Sequence, residues 1–147
     1  MAAEDEPKIT GGCLCGKVRY RLSEPLARVH YCHCRLCQRA FASAFGIYGS
    51  VALAALTFTQ GRPKAYRAAA FAERGFCPDC GSQLTFRYLD SDQISLAIGS
   101  LDAPETAVPE RHWGIESRLS WLRFDDALPA QRTEDDPDFV RRQKTRY

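Results

Sequence analysis

The chain has 147 residues, enough for one compact domain with a sizeable core. Apolar residues make up 45% and aromatics 11%, the composition of a folded globular protein, which excludes a disordered chain. A net charge of +2, with no long basic run before the C-terminal residues, leaves no footprint for nucleic acid or an acidic membrane surface. No segment reaches the roughly 20 apolar residues of a membrane span.

Residues 1–8 are acidic, carry no hydrophobic leader core and read as a solvated tail, so a cytoplasmic protein is expected. Seven cysteines in such a chain point to metal rather than disulfides, and their odd number and clustering agree.

In Gly11-Gly12-Cys13-Leu14-Cys15-Gly16, glycines bracket two thiols and permit the positive φ that lets a turn present both sulfurs to one ion. Lys17 to Leu22 alternates, with Val18, Tyr20 and Leu22 on one face of a half-buried strand that stops before Pro25. Cys32-His33-Cys34-Arg35-Leu36-Cys37 follows, three thiols within six residues, with a helical turn expected through Leu36, Ala40 and Phe41. Soft thiolates select zinc over hard cations. A structural zinc normally takes four protein ligands, whereas a catalytic one takes three and keeps a position open.

Ser43 to Val51 reads as a strand interrupted by Gly46 and Gly49, where a bulge or a ligand's approach is expected. Short strands are expected over 56–61 and 64–67 around a Gly-Arg-Pro turn, with 68–72 as a connector. Phe76-Cys77-Pro78-Asp79-Cys80-Gly81 is a tight knuckle that aims two thiolates at one zinc. Residues 83–88 and 93–98 read as paired strands, and 111–113 and 119–124 as two more. From Asp125 onward a polar, loosely docked tail with at most a short helix is expected, Arg141 to Lys144 being solvated. Many short strands broken by Gly and Pro argue for a mainly β domain.

Spacing alone leaves the division of the thiols open. Cys13 and Cys15 with Cys77 and Cys80 make a closed set of four, leaving Cys32, Cys34 and Cys37. Equally, Cys77 and Cys80 can close on Cys32 or Cys34 and leave the N-terminal pair over.

The ordered triple of cysteine motifs resembles the glutathione-dependent formaldehyde-activating enzyme family, also called the CENP-V/GFA domain, with all seven cysteine positions filled between residue 11 and about residue 125. The resemblance implies a β-tent of short antiparallel sheets with two zinc ions. It places Cys13, Cys15, Cys77 and Cys80 at a structural zinc and Cys32, Cys34 and Cys37 at a catalytic zinc. It also implies a domain over 9–125 followed by a polar tail over 126–147. The implied function is a carbon–sulfur lyase-type enzyme resembling S-(hydroxymethyl)glutathione synthase, joining formaldehyde to glutathione or acting on a related thiol adduct. A non-catalytic zinc module that binds a macromolecular partner is the alternative.

Several residues near these motifs carry two readings. His33 sits between two ligands, and consecutive residues seldom all aim at one ion, so it is expected to pack or to support the site from behind. His30 is the rival fourth ligand. Arg35 and Arg39 suit the carboxylates of glutathione, or are simply solvated. Phe45, Tyr48, Trp113 and Trp121 are core aromatics or pocket walls, and His112 is structural.

Overall fold

A computed structural model describes residues 9–144, so the tail expected over residues 1–8 lies outside the described residues. Among the described residues, eleven strands build two sheets. The small sheet runs in the order β1 (Ile9–Gly12), β2 (Arg19–Leu22), β5 (Leu56–Gln60), all antiparallel. The large sheet comprises β3 (Ala27–Cys32), β4 (Gly46–Ala52), β6 (Lys64–Ala69), β7 (Ala72–Phe76), β8 (Gln83–Tyr88), β9 (Gln93–Ala97), β10 (Arg111–Trp113) and β11 (Ala130–Gln131). Its spatial order is β11-β10-β3-β4-β9-β8-β7-β6. The domain is therefore mainly β, as the broken short strands implied. Two pairings, β10 with β3 and with β11, are parallel. The two helices are short, α1 (Arg35–Phe41) and α2 (Pro137–Gln143), and no described helix is long and apolar enough to cross a membrane.

Period-2 alternation sorts the side chains of the central strands. From β4 and β9, Val51, Ile94 and Leu96 meet Tyr20 and Leu22 of β2 in the core between the sheets. The other face of the same strands shows Tyr48, Ser50, Gln93 and Ser95 to a cavity. Gly46 and Gly49 serve packing rather than a ligand. A Cβ on Gly46 would stand 2.5 Å from the Phe41 ring, and one on Gly49 would meet Leu26, Ile98 and Val29 at 3.0–3.2 Å.

Three expectations change. Residues 68–72 are no connector: β6 runs on to Ala69, turns, and pairs with β7, so the strands on either side of the Gly-Arg-Pro turn belong to different sheets. Residues 119–124 form no strand; the chain turns there, Leu122 N donating to Leu119 O at 3.0 Å. Beyond Asp125 the chain docks closely. Strand β11 pairs with β10, the Phe139 ring meets Trp113 edge-on at 5.1 Å, and the Arg142 guanidinium lies 3.8 Å from the centre of the Tyr88 ring and 3.2 Å from Asp90.

Candidate metal centres and active-site cavity

Two knuckles form the first thiol group. In one, Cys13 N donates to Val18 O at 3.0 Å and Val18 N donates to the Cys13 sulfur at 3.3 Å. In the other, Cys77 N donates to Ser82 O at 3.0 Å and Gly81 N to Cys77 O at 2.8 Å. Gly16 (φ +79°) and Gly81 (φ +78°) supply the left-handed turns that glycine was expected to permit. Ser82 Oγ joins the knuckles, accepting from Leu14 N at 3.0 Å and lying 3.2 Å from the Cys80 sulfur. That side-chain contact, with a backbone bond to Ser82, holds the Cys80 thiol down at about 5.

The sulfurs of Cys13, Cys15, Cys77 and Cys80 all lie within 4.8 Å of one another, Cys13–Cys15 at 3.6 Å and Cys15–Cys77 at 3.8 Å. A tetrahedral thiolate centre with metal–sulfur bonds near 2.3 Å has edges of about 3.8 Å. A disulfide would bring two sulfurs to about 2.05 Å. All seven thiols are free, and this set has the donor type and spacing of a metal site.

The second group is local. Cys32 ends β3, Cys34 is the N-cap of α1 and Cys37 lies one turn into that helix. Cys32 donates to the Cys34 sulfur at 3.3 Å, and Cys37 N donates to the same sulfur at 3.4 Å. The bonds from Cys32 and Cys37 hold the Cys34 thiol well below the ordinary thiol range, whereas Cys34, Cys37 and burial push Cys32 well above it. These three sulfurs also lie within 4.8 Å of one another and suit a metal ion. The loop is pinned from behind: His33 N donates to Trp113 O at 2.8 Å, and Gln38 Nε2 donates to His33 O and Ser117 O, both at 2.9 Å.

Neither His30 nor His33 belongs to this thiol group. The His30 ring bonds Arg28 O at 2.8 Å. His33 turns away into the interior, its Nε2 2.8 Å from His112 Nδ1, while His112 Nε2 lies 3.1 Å from both Asp126 oxygens. Burial, then the neighbouring His112, lowers His33 to about 4. The Phe45 ring packs 5.8 Å from the His33 ring, edge-on to Tyr31 at 5.3 Å and 5.6 Å from Phe124, and does not line the cavity that the thiols border.

Cys32, Cys34 and Cys37 border a cavity of about 950 Å³, whereas the four-thiol group does not. Of the residues weighed from sequence, His30, Arg39, Tyr48 and Trp113 line it. Arg35 instead donates to Gln38 Oε1 at 2.5 Å, and Trp121 is 70% exposed, away from the cavity. Sequence reasoning missed Arg74 altogether. It projects from β7, is 7% exposed, and donates to Tyr48 Oη at 2.9 Å and to the Cys37 sulfur at 3.7 Å. Its signal is the alternation Ala72, Arg74, Phe76, which begins in the stretch that the sequence reads as a connector. Arg28, Arg111 and Arg142 also line the cavity and make its wall basic.

A family model described as glutathione-dependent formaldehyde-activating enzyme matches residues 8–117, and the chain belongs to that family. The chain is 29% identical over 82 residues to "Uncharacterized lyase C29B12.13" of Schizosaccharomyces pombe, covering 56% of this chain and 59% of that one. The matched stretch thus spans little more than half of that relative. A crystal structure of a Rhodobacter sphaeroides protein has the same fold at a TM-score of 0.52 and 18% identity, covering 83% of this chain and 98% of that one.

Proposed function

For a chain of this family, we propose a zinc-dependent carbon–sulfur lyase-type activity at Cys32, Cys34 and Cys37, joining a small thiol to an aldehyde, with glutathione and formaldehyde as the leading pair. The observation that carries it is that the three-thiol group opens onto the large cavity while the four-thiol group does not. A four-thiolate set is complete, whereas three leave one position for substrate. In this reading Cys13, Cys15, Cys77 and Cys80 hold a structural zinc. Zinc at the three-thiol group would favour the thiolate form of a substrate thiol and act as a Lewis acid toward a carbonyl.

The chain's own residues supply binding. Arg28, Arg39 and Arg111 on the cavity wall offer guanidinium forks to the carboxylates of a peptide thiol. A volume near 950 Å³ holds a tripeptide-sized molecule and its small partner together, which supplies the proximity contribution.

Exchange NMR on zinc-loaded protein with formaldehyde and glutathione, against a protein-free control and Cys34→Ala, tests this. Acceleration that is lost in the variant supports the reading. No acceleration with two zinc ions confirmed by metal analysis rejects the pair, in favour of another thiol or a binding module.

A further inference from the structure

Arg74 is a cation nine-tenths removed from solvent, and among the described residues no carboxylate pairs with it. A buried guanidinium cannot shed its charge and must be compensated locally. One arm reaches the Cys37 sulfur and the other holds Tyr48 Oη as an acceptor. The centre of the Phe86 ring lies 5.0 Å from the guanidinium carbon, close enough for a cation–π contact. Because Tyr48 Oη accepts from Arg74, its own proton is left over, and among the described residues it has no hydrogen-bond acceptor. Tyr48, Arg74 and the three thiols all border the cavity.

We propose that Tyr48, held by Arg74, is the hydrogen-bond donor for the oxygen that becomes the hydroxyl of the thiol adduct. This rests on the adduct-forming reading above. Addition of a thiolate to an aldehyde forms the C–S bond and moves the carbonyl π pair onto oxygen. That oxygen then takes a proton from water, balancing the proton the thiol released to solvent. The charge develops on oxygen, so a preorganised donor beside the sulfur site strengthens its bond as the reaction proceeds. Tyr48 is the catalytic residue in this account. Arg74 is a positioning residue: it orients the phenol and compensates charge at Cys37.

The test compares wild type, Tyr48→Phe and Arg74→Lys, all zinc-loaded and checked for metal content. One readout is exchange NMR. The other needs no turnover: calorimetric affinity for S-hydroxyethylglutathione against its isostere S-propylglutathione. Wild type should prefer the hydroxyl analogue. Tyr48→Phe should lose that preference by about tenfold with S-propyl affinity unchanged, and slow exchange on the order of 10- to 100-fold. Arg74→Lys should weaken the preference in the same direction. An unchanged affinity ratio in Tyr48→Phe overturns the proposal, as does failure of both analogues to bind, and so, where wild type accelerates exchange, does a variant rate within about twofold of it. If wild type gives no acceleration but shows the hydroxyl preference and Tyr48→Phe abolishes it, the formaldehyde reading falls while the donor role stands.

Discussion

The Cys34 sulfur accepts from Cys32, caps α1 and borders the cavity, yet those bonds reach only the last residue of β3 and the first turn of α1. Cys34→Ala should therefore leave a folded protein. The lost cap costs about 1 kcal/mol, and metal analysis should read one ion fewer than wild type. A globally unfolded variant would count against this division of the thiols. Gly81 shows a different dependence. At φ +78° a Cβ would meet nothing within 4 Å, so Gly81→Ala is penalised by conformation alone. The cost is about 1–2 kcal/mol. For a chain of this size that lowers Tm by several degrees. Asn, which tolerates the left-handed region, should recover part of the loss; equal melting of the alanine variant and wild type would remove the requirement for glycine.

Strands and knuckles differ in how far the sequence revealed them. The Cys-Leu-Cys-Gly and Cys-Pro-Asp-Cys-Gly turns were legible because glycine placement and thiol spacing are local constraints. Strands β8 and β9 were legible because they alternate cleanly. Strand β7 was not, since its face mixes Ala72, Arg74 and Phe76, and an arginine on a buried face contradicts the hydrophobic pattern used to find strands. Residues 119–124 failed in the opposite sense. They are apolar enough for a strand, but Phe124 is drawn off to pack at 4.5 Å from His112, leaving no register with a neighbour. The segment from β11 to α2 looked solvated because its attachments are isolated residues rather than a stripe. Phe139 is one such residue, half-buried against Trp113. Phe139→Ala should cost about 1–2 kcal/mol, less than the 3–5 of a fully buried phenylalanine. Limited proteolysis should then cut after residue 125 before the rest of the domain, and an unchanged digestion pattern would show that Phe139 does not anchor the segment.

At the scale of the molecule the two thiol groups close very different lengths of chain. Cys32 to Cys37 spans a single turn from strand to helix, so metal there constrains little that β3 and α1 do not already fix. The four-thiol group joins the β1–β2 connection of the small sheet to the β7–β8 connection of the large one, 62 residues apart between Cys15 and Cys77. Cys13, Val18, Cys77 and Leu84 around it form a separate buried cluster too small to hold the sheets together by itself. Closing a long loop removes more freedom from the unfolded chain than closing a short one. A structural zinc contributes on the order of 10 kcal/mol in small systems, comparable to the whole net stability of a domain. Graded removal of metal by a chelator should therefore separate into two events. Loss of the ion at the open, cavity-lining group should leave the melting curve nearly in place. Loss of the second should coincide with unfolding, and Cys80→Ala should reproduce that second event without chelator. A Cys80→Ala protein with a wild-type melting curve would mean that the core between the sheets suffices, and that the four thiols do not hold the tent closed.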